Sequence, residues 1–141
     1  MFKHILVAYD GSDIAQKALE TACDLAKHYQ AKVTVLHVNV IATNLRAQAM
    51  NSPALAAMLN EEGDRVSEKA ENYLSGSGLN TEVKVVKAPS APKPIIDAIK
   101  NSDVDLVVMG SRGLGAVKQY FGSVSHAVLN LIEVPAMVIK G

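Results

Sequence analysis

Three short stretches of this chain are apolar through most of their length, and each gives way abruptly to a different pattern. His4-Ile5-Leu6-Val7-Ala8-Tyr9 stops at Asp10-Gly11-Ser12, Lys32-Val33-Thr34-Val35-Leu36-His37-Val38 stops at Asn39, and Leu106-Val107-Val108-Met109 stops at Gly110. A strand with no polar face is one buried on both faces, which happens when helices cover both sides of a parallel sheet. Helical patterns follow the first and third runs. Ala15, Ala18, Leu19, Ala22, Leu25, Ala26 and Tyr29 share one face, and so do Val124, Ala127, Val128, Leu131 and Ile132. Strand, helix and strand in succession form a unit that closes right-handed in nearly every case. Few folds satisfy that constraint.

The remaining segments extend the same alternation. Glu82–Lys87 alternates well enough for a third strand, more polar than the others and so placed near an edge. Prolines 89, 92 and 94 hold the chain extended until Ile95, Ile96 and Ile99 open a short helix, with Pro94 near its first position. Glu61–Ser75 reads as a helix, whereas Asn39–Asn60 reads as a loop with an irregular or short helical piece, interrupted at Asn51-Ser52-Pro53. Pro135 marks a stop before a fifth strand, Ala136–Lys140. Five strands alternating with four helices predict an α/β fold, a doubly wound parallel sheet in one domain spanning residues 1–141.

Composition narrows the function. Fourteen basic residues balance fourteen acidic ones, and only 4% of residues are aromatic, with no Trp. Neither a basic footprint nor a base-stacking platform is present, so the sequence points to no nucleic-acid and no membrane partner. The lone Cys23 excludes an internal disulfide, fits a reducing compartment and sits among apolar helix positions as a core thiol. No run is long enough for a transmembrane helix, and the first apolar run is too short for a secretion signal. A cytoplasmic protein is the expectation.

Chemistry concentrates where the third apolar run ends. Gly110-Ser111-Arg112-Gly113-Leu114-Gly115 and Gly122-Ser123 join a strand's C-terminal end to a helix N-terminus, the place where open α/β sheets bind ligands. Glycines admit close backbone approach to an anion, Ser123 can cap the helix or donate its hydroxyl, and the helix dipole favours negative charge there. Two readings fit: a phosphate cradle, or a plain loop with a capping serine. A Walker A loop is excluded because Ala116 stands where its Lys belongs. A dinucleotide GxGxxG is excluded because Lys118 stands where its third glycine belongs. Arg112 and Lys118 flank the glycines and could neutralise phosphate. Asp10, ending the first strand at the same sheet edge, could accept from a ribose hydroxyl or an adenine amino group, or brace its own turn. His37 reads as a hydrogen-bonded core histidine and His126 as an exposed helical one. No catalytic constellation and no metal-ligand cluster emerges.

Taken together, Asp10-Gly11-Ser12, Leu36-His37-Val38, Val107-Val108-Met109-Gly110-Ser111-Arg112-Gly113, Gly122-Ser123-Val124-Ser125 and Val134-Pro135-Ala136-Met137-Val138-Ile139 resemble the universal stress protein (UspA) family over essentially the whole chain. The resemblance implies an adenine nucleotide alpha hydrolase-like sheet of order 3-2-1-4-5 and a homodimer, and the apolar terminal run Val134–Ile139 offers the C-terminal strand as its seam. It also implies ATP or another adenine nucleotide, with or without Mg2+, as ligand. Carried over by position, Asp10 meets the adenosine part and the backbone of Val38 meets adenine, with Ala8 and Ser12 beside them. Gly110, Gly113, Gly122 and Ser123 hold ribose and phosphates, next to Met109, Arg112, Val124 and Ser125. Gly113 and Gly122 enclose eight residues, one fewer than is usual in the family, which brings ADP and AMP forward as rivals to ATP. The implied role is that of a regulatory stress-response protein. A slow ATP hydrolase and a dimeric module that binds no nucleotide are the alternatives.

Overall fold

The computed structural model describes residues 1–112 and 122–141. Its strands are β1 (His4–Ala8), β2 (Lys32–Val40), β3 (Thr81–Ala88), β4 (Leu106–Gly110) and β5 (Ala136–Ile139). All pair in parallel, in the order β3-β2-β1-β4-β5. The doubly wound sheet and its strand order are those expected from the sequence and the resemblance. Val7 sits opposite Val35 on one side and Val108 on the other, at the centre of the sheet. Val7, Val35 and Val107 are each 0% exposed, which is why the runs around them carry no polar face.

Two apolar layers flank the sheet. On one face Val7, Val35 and Val108 pack against α1 (Asp13–Tyr29) and α3 (Pro53–Leu74), where Ala18, Ala22 and Ala26 bring α1 close to the strands. Cys23 is buried in that layer, and burial pushes its thiol up to about 11. On the other face Leu6, Leu36, Val107 and Met109 meet Ile95, Ile96 and Ile99 of α4 (Pro92–Lys100) and Val128 of α5 (Ser123–Leu131). Each fully buried aliphatic side chain of this kind contributes about 1.5–3 kcal/mol. β3 and β5 are the sheet's edges, and no residue of β3 is buried, four of its eight being exposed. No helix among the described residues is long and apolar enough to cross a membrane.

Three boundaries differ from the sequence reading. Asn39–Asn60 is mostly helical: α2 (Thr43–Ala49) is a fifth helix among the described residues, and α3 begins at Pro53, eight residues before Glu61. Asn51-Ser52-Pro53, an interruption in the sequence pattern, starts a helix. The Ser52 Oγ accepts from the Leu55 N–H at 3.2 Å, and Pro53 takes the first position, where no N–H is needed. The same logic moves α4 back to Pro92, so Pro92 and Pro94 both lie in its first turn and do not hold the chain extended. Gly122, not Ser123, occupies the N-cap of α5, and no side-chain cap bond is made there. Ser123 is the first helical residue, and its capping role is not realised.

Candidate functional site

From β1 the chain winds toward β2 and β3, and from β4 toward β5, so the two strands diverge at a topological switch point. At the β1 side, Asp10 Oδ1 accepts from the Ser12 N–H at 3.0 Å and from the Ser12 hydroxyl at 2.6 Å. Ser12 Oγ in turn accepts from the Ala15 N–H at 3.2 Å and caps α1. Gly11 lies at φ +81°, in the left-handed region, and its carbonyl accepts from Lys69 Nζ at 2.8 Å. One step back, Tyr9 donates its hydroxyl to Gln16 Oε1 at 2.8 Å, and its carbonyl accepts from His37 Nδ1 at 2.9 Å. Burial, with the Asp10 carboxylate nearby, raises the Tyr9 phenol above its ordinary value, which keeps it a donor.

At the β4 side the backbone carries the geometry. The Ser111 N–H donates to the Ile139 carbonyl at 2.8 Å and the Gly122 N–H to the Ser111 carbonyl at 2.6 Å. Ser125 donates its hydroxyl to the Gly110 carbonyl at 2.6 Å, tying the first turn of α5 to the end of β4. Neither Gly110 nor Gly122 has a positive φ. Close approach is what requires them. A Cβ on Gly122 would lie 2.9 Å from the Arg112 Cα, and one on Gly110 would lie 2.9 Å from Ile14 Cγ2. Arg112 Nε is buried with no hydrogen-bond partner among the described residues.

Between these two sides lies a cavity of about 280 Å³. Ala8, Asp10 and Val38 line it from the β1–β2 side; Met109, Gly110, Arg112, Val124 and Ser125 line it from the β4–α5 side. The fold thus brings together eight of the twelve positions named from the sequence. Ser12, Gly122 and Ser123 stand off the wall: Ser12 is committed to its turn, Gly122 to the backbone contact, and Ser123 is exposed. Gly113 lies outside the described residues, as do Gly115 and Lys118. His126 is exposed and pairs with Asn130 at 3.1 Å, away from the cavity.

Sequence reasoning did not place Tyr9, His37, Glu62, Ala91 or Ile95 on this wall. His37 could have been suspected from its place beside Val38 at a strand's C-terminal end. Ala91 and Ile95 arrive from a distant part of the chain, with no local signal. A larger groove of about 810 Å³ runs along β3 beside α4. Much of its charge is already paired, Glu82 with Lys32 and Lys84, Asp97 with Lys93, and Asp103 with His4, so size does not make it the stronger site. Among the described residues no group of three His, Cys, Asp or Glu side chains could hold a metal ion.

Residues 1–140 match the model of the universal stress protein family. The chain is 33% identical to universal stress protein YxiE of Bacillus subtilis (strain 168), over 99% of this chain and 100% of that one. Among solved structures it is similar to universal stress protein UspA from Lactobacillus plantarum, with TM-score 0.82 and 24% identity, covering 99% and 98% of the two chains. It is also similar to a universal stress protein family protein from Arabidopsis thaliana with AMP bound, with TM-score 0.70 and 23% identity over 98% and 91%. A sheet wound in the order β3-β2-β1-β4-β5, with a crevice at its switch point and a family match over nearly every residue, settles the assignment: the chain belongs to the universal stress protein family.

Proposed function

We propose that the protein binds an adenine nucleotide in the crevice between the ends of β1 and β4 and acts as a nucleotide-responsive regulator. The observation that carries this reading is Arg112 Nε, a buried donor without a partner among the described residues, on a cavity wall that also includes the first turn of α5. A phosphate group in that place satisfies the guanidinium and meets the positive end of the α5 dipole. Val38, Met109 and Ile95 offer an apolar wall for the base, and Asp10 offers a carboxylate to ribose hydroxyls or the adenine amino group. The residues present therefore fit the ligand.

The cavity's 280 Å³ lies just below the usual range of small-molecule sites, about 300–1,000 Å³, which favours a mononucleotide over a larger ligand. The shortened Gly113–Gly122 interval and the AMP-bound Arabidopsis thaliana relative point the same way. ADP and ATP, with or without Mg2+, compete for the same place. Thermal unfolding of the whole protein tests the reading. AMP at about 100 times its dissociation constant stabilises the fold by roughly 2.7 kcal/mol, read as a raised melting temperature. If AMP, ADP and ATP all leave the transition unmoved at millimolar concentration, with and without Mg2+, the reading is wrong.

The functional unit of this reading is a cytoplasmic homodimer. β5 pairs with β4 on one side only, and an unpaired apolar edge invites a second copy by two-fold strand addition. Light scattering at micromolar concentration gives twice the chain mass if this is so, and the chain mass if it is not.

A further inference from the structure

Two buried side-chain nitrogen or oxygen atoms among the described residues lack a hydrogen-bond partner, His37 Nε2 and Arg112 Nε, and both residues stand on the wall of the one cavity. Buried polar atoms are nearly always paired, so two exceptions at one place ask for a common cause. Their senses are opposite. Arg112 Nε is a donor and suits an anion. The His37 ring is fixed by its other nitrogen: Nδ1 lies 2.9 Å from the Tyr9 carbonyl, which can only accept, so Nδ1 carries the proton. In the neutral ring Nε2 is then an acceptor and nothing else. His37 is 5% exposed, so a partner for Nε2 has to come from within the cavity rather than from bulk solvent.

The two residues also reach the crevice from different strands. His37 lies on β2 and Arg112 just past β4, with β1 between them. At about 4.8 Å per strand spacing they are roughly 10 Å apart across the sheet, the scale of a nucleoside monophosphate. A ligand with its phosphate at Arg112 presents its nucleoside to His37.

We infer that His37 Nε2 is a specificity element of this site, accepting a hydrogen bond from a donor on the nucleoside half of the ligand. The inference rests on the nucleotide reading above. In an adenine nucleotide that donor is the 6-amino group or a ribose hydroxyl. A ligand that puts an acceptor or a bare C–H there leaves the lone pair buried and unpaired, which is how a polar site rejects near-isosteres. The atom is closed off in this conformation, and the contact forms as side chains of the wall adjust around the ligand.

His37 also clips β1 to β2 through Tyr9, and the test separates the two roles. His37→Asn keeps an amide N–H near the place of Nδ1 and deletes Nε2. His37→Gln carries an amide oxygen to the distance of Nε2 and loses the clip. Calorimetric titrations of the wild-type protein and both variants use AMP, purine riboside 5′-monophosphate, which lacks the 6-amino group, and 2′-deoxy- and 3′-deoxy-AMP, each lacking one ribose hydroxyl. Wild type binds one of the three analogues about tenfold more weakly than AMP, the scale of one net hydrogen bond, and that analogue identifies the donor. His37→Asn binds AMP and that analogue alike, while His37→Gln keeps at least part of the preference. The inference is overturned if His37→Asn folds and retains the wild-type preference, or if AMP and every analogue weaken equally in both variants, as loss of the clip alone predicts. Should His37→Asn not fold, the Gln variant decides, with a preference of threefold or more for the inference and none against it. Failure of wild type to bind AMP, ADP or ATP is a different result, and it removes the nucleotide reading itself.

Discussion

Two loops leave adjacent parallel strands at the same edge of the sheet, and they are built in opposite ways. The turn after β1 is braced from within and from α3: Asp10 holds Ser12, Ser12 holds the start of α1, and Lys69 of α3 holds the Gly11 carbonyl. The connection after β4 is pinned at its two ends, by Ser111 to Ile139, Gly122 to Ser111 and Ser125 to Gly110, and leaves Arg112 Nε without a partner among the described residues. A segment that satisfies its own polar groups contributes to the fold whether or not a ligand is there. One that leaves a buried donor unsatisfied costs about 1–3 kcal/mol until something supplies the acceptor. The first loop is therefore braced by the fold, with Asp10 on the cavity wall, and the second carries the donor that the proposed nucleotide would satisfy.

The largest effect that would break this contrast is at Gly122. In Gly122→Val the new Cβ meets backbone, the Arg112 Cα at 2.9 Å, and backbone cannot swing aside as a side chain end can. Overpacking of this kind costs about 1–3 kcal/mol, which lowers the melting temperature by about 3–10 °C in a chain of this size. Calorimetry should show that loss together with at least a tenfold loss of nucleotide affinity. A variant that keeps both would mean the close approach of the two segments is dispensable.

Arg112→Ala should divide the two properties. It removes a buried donor that has no partner among the described residues, so the melting temperature without ligand stays within about 2 °C or rises, while affinity for AMP falls tenfold to a hundredfold, the worth of a charge-assisted hydrogen bond. Ser12→Ala is the mirror image. Losing the cap and the bond to Asp10 costs about 1 kcal/mol, or roughly 3 °C, with affinity unchanged within twofold. Titration of both variants against AMP checks the pair. Affinity lost at Ser12 beyond what stability accounts for would move that residue to the ligand's side.

Much of this was legible in the sequence for a simple reason. β1, β2 and β4 are buried on both faces, so their apolar runs carry no alternation to misread, and the alanine face of α1 has a clear helical period. The crevice followed from where those runs stop, since Asp10 and Gly110 end neighbouring strands. What escaped depends on information a linear pattern does not hold. Ser52-Pro53 looks like an interruption from the N-terminal side and a cap followed by a first helical residue from the other. Gly122 and Gly110 suggest close backbone approach to an anion, whereas the close approach the structure shows is to Arg112 and Ile14, which no linear pattern holds. His37 is the buried, hydrogen-bonded histidine that its place among Val35, Leu36 and Val38 implies, but its partner is a carbonyl 28 positions away, which no local pattern names.

The smallest effect belongs to a control far from both loops. At the other end of the sheet His4, near the start of β1, donates from Nδ1 to Asp103 Oδ1 at 2.6 Å, and its Nε2 lies 2.7 Å from Thr34 Oγ1. The His4 hydrogen bond first, and its charge second, hold the Asp103 carboxyl below its ordinary value. A carboxyl lowered in the folded state contributes stability that is present above its unfolded value, about 3.9, and is lost as pH falls through the lowered folded value. Asp103 is fully exposed on the carboxylate side, so solvent screens the pair and the contribution is small. Melting temperatures of wild type and Asp103→Asn should therefore differ slightly at neutral pH and converge as pH falls below about 4. Some acid-side loss persists in the variant, because Glu82, lowered chiefly by its hydrogen bond with Lys84, titrates in the same direction. Nucleotide affinity at pH 7 should not change, since neither His4 nor Asp103 touches the 280 Å³ cavity. A parallel loss of affinity in Asp103→Asn would show that the two ends of β1 are coupled, and that the turn after β1 is not the independent support its internal bonds make it.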